Sequence, residues 1–164
     1  MSERGWLSLS FFPLALAGMV VAGALALNLV GPSYDARSAR ITEASQLVTR
    51  AREAAGLNDW TQAEVYASKA VALNPDHVLA RLLLGLAYLN TNALDKAEAE
   101  FRRVLALAGE DRNSAAWAHN NLGVVYRRRG QLTAAIREYE IAIAADPSNG
   151  QARANLAEAR RFAP

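Results

Sequence analysis

Residues 116–149, AWAHNNLGVVYRRRGQLTAAIREYEIAIAADPSN, decide the fold of this chain. Small and aromatic residues recur in this stretch at helical spacing, at Leu122, Gly123, Tyr126, Ala135, Tyr139 and Ala142. Two helices can cross closely where a side chain is small, and an aromatic ring fills the space beside the crossing. Gly130 can adopt the left-handed conformation that ends a helix, and Pro147 stops a second helix. The stretch therefore predicts a helix–turn–helix unit.

The same pattern occurs earlier in the chain at a fixed distance. The pair Leu84-Gly85 recurs as Leu122-Gly123, and the pair Asn74-Pro75 recurs as Asp146-Pro147. A single period of about 34 residues explains both spacings if the four residues 112–115 are an insertion. A period of this length is typical of helical repeat architectures.

The period divides the soluble part of the chain into three units, 44–77, 78–111 and 116–149. The second unit carries the pattern at Leu84, Gly85, Tyr88, Ala97 and Phe101. The first unit is the weakest, because Arg50 stands in place of the leucine and Ala54 in place of the tyrosine. Residues 150–164 continue the phase of an opening helix, which predicts a terminal capping helix with a polar outer face.

With this phase the chain resembles the tetratricopeptide repeat family over about residues 44–149. The resemblance implies an all-α solenoid of three helix–turn–helix repeats that binds other proteins. It also implies a ligand groove lined by the first helix of each repeat, which by phase contains Val48, Leu79, Leu82, Leu86, Trp117, Asn120, Val124 and Arg127. A groove that is mostly apolar suits an amphipathic helix or an extended hydrophobic peptide.

Two further points concern this groove. Family members that clamp the carboxylate of chaperone tails carry Lys and Asn at set groove positions. Here those positions hold Val48, Arg52, Leu82 and Leu86, so we do not expect that mode. The alternative to a partner is that the protein covers the groove itself, with the linker 32–43 or with the terminal helix that carries Phe162.

The N-terminal segment has the character of a membrane span. There is no charged side chain between Gly5 and Tyr34, and a bilayer core needs roughly 20 apolar helical residues. We expect an N-terminal tail and anchor over residues 1–31, with a single transmembrane helix at about 11–30 that begins near Pro13. Gly31-Pro32-Ser33 is expected to end this helix, so that 32–43 is a linker, or else an extension of the helix.

One face of this predicted helix carries Gly18, Ala22 and Ala26 at four-residue spacing, which would allow a second membrane helix to pack closely. The alternative to an anchor is a cleaved signal peptide with Ala24-Leu25-Ala26 as its cleavage site, which would release an exported soluble adaptor.

Charges near the span are compatible with either orientation of the helix in the membrane. Arg37 and Arg40 follow the span and favour a cytoplasmic repeat domain. The very short N-terminal tail with Arg4 favours export, and we expect the repeats on the extracytoplasmic, periplasmic side of a bacterial inner membrane.

Composition and motifs point away from catalysis. The net charge of +2 does not indicate nucleic-acid binding, and the absence of cysteine excludes disulfides and thiolate metal sites. His77 and His119 stand alone, with no second ligand at metal or catalytic spacing, and no phosphate-binding loop is present. We expect no catalytic residue, metal, cofactor or small-molecule substrate. The run Arg127-Arg128-Arg129 is interpreted as a solvated face at the negative end of a helix dipole. The resulting hypothesis is a membrane-anchored interaction scaffold, an accessory or assembly subunit of a larger membrane complex.

Overall fold

The computed structural model describes the backbone of residues 13–162 and the side chains of residues 35–162. The described residues form seven helices and no strand: α1 Pro13–Gly56, α2 Trp60–Leu73, α3 Val78–Asn90, α4 Leu94–Ala108, α5 Arg112–Arg128, α6 Leu132–Ala145 and α7 Gly150–Phe162. They build the all-helical repeat solenoid that the sequence predicted. The chain divides into two compact units, residues 1–39 and 40–164, and the second unit contains all helices from α2 to α7.

Helix α1 is continuous through Gly31-Pro32-Ser33, so the predicted helix end at this point is wrong and the backbone of 32–43 is a helix extension. A proline inside a helix costs about 3 kcal/mol, because one N–H donor is lost. The alanines, leucines and arginines on both sides are good helix formers and outweigh that cost.

The predicted span 11–30 and its Gly18, Ala22 and Ala26 stripe lie outside the residues whose side chains are described. Among the described residues, no helix combines the length and the apolar character that a membrane crossing requires.

The turn inside each repeat is made by one residue with positive φ. Asn58, Asn92 and Gly130 occupy this place with φ of 60°, 61° and 75°, at intervals that follow the repeat period. Asparagine and glycine tolerate this left-handed conformation, which allows the chain to reverse after the first helix. The turn between the two helices is thus fixed by local sequence in all three repeats.

The four inserted residues, 112–115, form the first turn of α5. This helix has 17 residues, against 13 in α3. Four residues are close to one full turn of about 3.6 residues, so the insertion lengthens the helix without rotating its faces. The groove-facing positions of the third repeat therefore keep the phase of the second.

The two helices of each repeat pack through a small residue against a larger one. Phe101 and Tyr139 are fully buried, and their rings lie against Gly85 and Gly123 respectively. In the first repeat the buried alanines Ala51 and Ala67 occupy the matching positions, one repeat period before Gly85 and Phe101. This packing joins α3 to α4 in the second repeat and α5 to α6 in the third.

Candidate functional site

A pocket of about 330 Å³ lies between α3 and α5 and is called here the α3/α5 pocket. Its lining consists of Leu79, Leu82, Leu83, Leu86, Asn113, Ser114, Trp117 and Asn121. Leu79, Leu82 and Leu86 are three, four and seven residues apart, which places them on one face of α3. Opposite them on α5, Trp117 is 49% exposed, an unusual state for so large an apolar side chain. The pocket is therefore an open apolar site between the second and third repeats.

The polar side chains of Ser114 and Asn121 in the pocket are hydrogen-bonded to α5 and its N-cap residue, Asp111. Asn121 donates its side-chain N–H to the Trp117 carbonyl at 2.8 Å. Ser114 donates its hydroxyl to Asp111 Oδ2 at 2.6 Å, and the Ser114 and Asn113 amides donate to Asp111 Oδ1. These bonds, the Ser114 hydroxyl first, lower the pKa of the Asp111 carboxyl below its usual value. The lining residues themselves carry no charge, so binding in the pocket depends on apolar contact.

Val48 does not belong to this site, although the sequence placed it in the groove. Its side chain is only 4% exposed and packs in a buried cluster with Ala51, Ala67 and Leu84. The first repeat has two alanines where the others have a glycine and an aromatic ring, and Val48 fills the space beside them. The prediction for Val48 is wrong because the phase of a repeat does not reveal how its core is filled.

Asn120, Val124 and Arg127 are also separated from the pocket. Asn120 is 2% exposed, and its Oδ1 accepts a hydrogen bond from Asn155 Nδ2 at 2.9 Å. Arg127 pairs with Glu158 Oε2 at 2.7 Å. Asn155 and Glu158 both lie on α7. Val124 is partly buried against the cluster that contains Tyr139. Helix α7 thus packs against Asn120 and Arg127 of α5, whereas Phe162 is 69% exposed.

Comparisons with known proteins place the repeats in a family. Residues 48–115 match one model described as tetratricopeptide repeat, and residues 116–149 match a second model with the same description. Together they span more than half of the chain. The chain belongs to the tetratricopeptide repeat (TPR) family. Domains of this family are typically interaction modules rather than enzymes.

Solved TPR structures share the fold at low sequence identity. The Arabidopsis OM64 TPR domain superposes with a TM-score of 0.68 at 14% identity, over 76% of this chain and 99% of that one. A Thermobaculum terrenum O-GlcNAc transferase mutant gives 0.70 at 26%, over 76% of this chain but only 23% of that one. The second TPR domain of human RPAP3, in complex with the HSP70 peptide SGPTIEEVD, gives 0.64 at 18%, over 76% and 98%. No protein of curated function matches the sequence.

The three arginines at the end of α5, Arg127 to Arg129, form ion pairs and hydrogen bonds with other TPR helices. Arg129 pairs with Glu98 and Asp95 on α4, and Arg128 donates to the Leu89 carbonyl at the end of α3. With Arg127 bound to α7, all three arginines have partners within the domain. Arg128 is exposed, in agreement with the interpretation as a solvated face, whereas Arg127 and Arg129 are partly buried in ion pairs that the sequence did not reveal.

Glu98 is the centre of this network. Its carboxylate accepts hydrogen bonds from Arg129, from Arg102 Nε at 2.9 Å and from the Tyr126 hydroxyl at 2.9 Å. Burial opposes ionisation of Glu98, but the hydrogen bonds from Arg129, Arg102 and Tyr126 outweigh it, and the pKa of the carboxyl lies below its usual value. The network joins the second TPR to the third.

His119 also has a partner that the sequence did not reveal. Its Nδ1 lies 2.7 Å from Glu138 Oε2 on α6, 19 residues later. The second TPR has Arg81 and Glu100 in the same two places, with Arg81 Nη1 2.7 Å from Glu100 Oε2. Both pairs join the two helices of one repeat, which is a structural role. Among the described residues, no group of three or more His, Asp or Glu side chains is placed to hold a metal ion.

Proposed function

We propose that this TPR protein is a membrane-anchored scaffold that holds a protein partner at the α3/α5 pocket, as an accessory or assembly subunit of a larger membrane complex. The observation that carries the proposal is the half-exposed indole of Trp117 facing three leucines of α3. Exposed apolar pockets centred on tryptophan are typical of protein-binding surfaces.

The chemistry of the lining favours one class of ligand. An apolar side chain from an amphipathic helix or an extended hydrophobic peptide would bury the Leu79, Leu82 and Leu86 face and the indole together. A peptide that ends in acidic residues would find no cation in the lining. The RPAP3 domain binds an HSP70 peptide that ends in EEVD, and we do not propose that mode for this chain.

The anchor is proposed from the sequence alone. The uncharged stretch between Gly5 and Tyr34 supports a span at about 11–30, and we propose that the repeat domain lies on the periplasmic side. Gly18, Ala22 and Ala26 would allow a neighbouring membrane helix to pack against it. A topology reporter fused after residue 164 tests the orientation. N-terminal sequencing of the mature protein tests the anchor, because a start near Leu27 would establish the exported soluble adaptor instead.

The partner proposal is tested by purifying the full chain in mild detergent and identifying the subunits that co-purify. Trp117→Arg should abolish that co-purification, because a buried charge would replace the aromatic contact. Ile141→Arg is the matched control: Ile141 is a similarly exposed apolar side chain, at 44%, on α6 outside the pocket lining. This control should retain the partner.

A monomer without any co-purifying subunit would contradict the proposal, as would retention of the partner by Trp117→Arg. Trp117 is a better test position than Leu82 or Leu86. Both leucines also pack against the buried cluster of Leu89, Phe101 and Leu122, so charges there would test stability and binding at once.

A further inference from the structure

The α3/α5 pocket has a matching apolar side chain on the surface of the same chain. We propose that Phe162 of a second copy docks into this pocket. The proposal rests on the proposed function in that it uses the same pocket, and it names a second copy of this chain as one of the pocket's ligands.

Phe162 cannot reach the pocket of its own chain. Helices α5 and α7 run in the same direction, since Asn120 contacts Asn155 and, further along both helices, Arg127 contacts Glu158. The pocket lies in the first half of α5, whereas Phe162 is the last residue of α7. At about 1.5 Å per residue, the two levels are roughly 20 Å apart along the helix axes. Only the Phe162 of another copy is therefore available to the pocket.

The size and chemistry of the pocket suit a benzyl side chain. An apolar protein cavity of about 150 Å³ is enough to bind benzene. The α3/α5 pocket has about 330 Å³, with leucines on one wall and the indole of Trp117 on the other. An aromatic ring can pack against the indole in an offset or edge-to-face geometry. Docking would cover two of the large apolar side chains that are exposed in the single chain, Trp117 and Phe162.

Charges on the two sides are complementary. Phe162 follows Arg160 and Arg161, both exposed; Arg160 pairs with Glu140, whereas Arg161 makes no ion pair among the described residues. On α5 the pocket lining begins at Asn113, just after the exposed residues Glu110 and Asp111 in the chain. Asp111 accepts hydrogen bonds from Asn113 and Ser114, whereas Glu110 has no ion pair among the described residues. Opposite charges at the rim of an interface steer association and fix its orientation.

The most exposed apolar side chain, Leu57, does not satisfy this requirement. Leu57 is 81% exposed, but its neighbours in the chain, Glu53 and Asp59, are acidic. They would meet Glu110 and Asp111 with the same sign of charge. Charge therefore selects Phe162 over Leu57 as the side chain that docks.

The contact is heterologous, because the pocket and the docking side chain lie on different parts of each chain. A pair of copies keeps one free pocket and one free Phe162, so association can continue head to tail, as a ring where the rotation closes and as an open filament where it does not. A partner that binds the pocket competes with this contact. Self-association would thus cover the apolar pocket until a partner displaces the neighbouring copy.

The absence of cysteine in the chain makes a direct cross-linking test possible. Full-length copies that carry Asn113→Cys at the pocket are mixed in mild detergent with differently tagged copies that carry Ala163→Cys, and the mixture is oxidised with copper phenanthroline in air. Both Arg161 and Phe162 are kept in the second copy. We expect a disulfide-linked dimer of the two tagged species, at least tenfold reduced when the Ala163→Cys copy also carries Phe162→Ser.

The matched control replaces Ala163→Cys with Arg137→Cys, at an exposed position on α6, and should give no more than background. Equal cross-linking with Phe162→Ser or from position 137 would overturn the proposal, and so would the absence of cross-linking. A negative cross-linking result can be distinguished from a failure of the proposed partner binding. If cross-linking fails while Trp117→Arg still loses its partner, only the self-docking is wrong.

Discussion

Gly123 lies directly against the ring of Tyr139. A Cβ built on Gly123 would approach Cε1 of Tyr139 well inside 3.0 Å, a separation below which real Cβ atoms essentially never come. The same relationship joins Gly85 and Phe101, where the distance would be 2.6 Å. Each of these repeats therefore depends on the absence of one methyl group.

Gly123→Ala should destabilise the domain by about 1–3 kcal/mol, because the buried ring must shift to admit the new methyl group. Helix propensity alone would change stability by about 1 kcal/mol in the opposite direction. Gly56→Ala is the matched control, since a Cβ at Gly56 meets nothing within 4 Å. Urea unfolding followed by circular dichroism measures both variants. Equal stability of Gly123→Ala and the wild type would contradict the close packing.

Tyr139→Phe should leave stability unchanged or raise it by up to about 1 kcal/mol. The Tyr139 hydroxyl is buried and has no partner with complete hydrogen-bond geometry among the described residues, although the Arg127 guanidinium, which pairs with Glu158, lies nearby. Removing an unpaired buried hydroxyl relieves a desolvation cost and leaves the ring in place. The same urea unfolding measures the change. A loss of more than about 1 kcal/mol would show that the hydroxyl has a partner in solution.

Glu98 should make the domain sensitive to acid. Its pKa is lower in the folded state than its usual value, so its stabilising contribution is complete above the usual pKa and is lost as pH falls through the lowered one. Glu98→Gln should lower stability by about 2 kcal/mol at neutral pH, because three hydrogen bonds to a charged acceptor are weakened. The variant should lose less stability than the wild type on acidification.

Unfolding free energies measured from pH 7 to pH 3 test the role of Glu98. The control is Glu110→Gln, because Glu110 is exposed and makes no ion pair among the described residues. This control should keep the wild-type profile. A Glu98→Gln profile parallel to that of the wild type would show that the network around Glu98 does not stabilise the fold.

Local sequence was sufficient for the repeat phase. The spacing of Gly85 and Gly123 follows from the requirement for close helix crossings, and a helix of 17 residues absorbs the insertion because four residues make nearly a whole turn. The leucine face of α3 was also predictable from the sequence. A helix that is apolar nearly all round requires cover on every side, and the neighbouring helices cover only its core face. These features depend on residues within one or two helices.

Contacts between helices that are distant in the chain could not be predicted from the sequence. The partners of His119, Arg129 and Asn120 lie 19 to 35 residues away on other helices, and no motif marks them. Helix α7 continues the repeat phase, but only the fold shows that Asn155 and Glu158 contact Asn120 and Arg127. The proposed binding surface is consequently smaller than phase alone predicted, and it is limited to Trp117 and the α3 leucines.

The central claim is that a protein partner covers the α3/α5 pocket, and Trp117 is a built-in reporter of that event. Trp6→Phe together with Trp60→Phe leaves Trp117 as the only tryptophan, and Phe162→Ser in the same chain prevents a second copy from covering it. Acrylamide quenching of its fluorescence is compared between the full chain with its co-purified subunit and the chain from which that subunit has been removed. The account predicts a blue-shifted emission and several-fold weaker quenching in the complex. Equal quenching in the two states would show that the partner binds elsewhere.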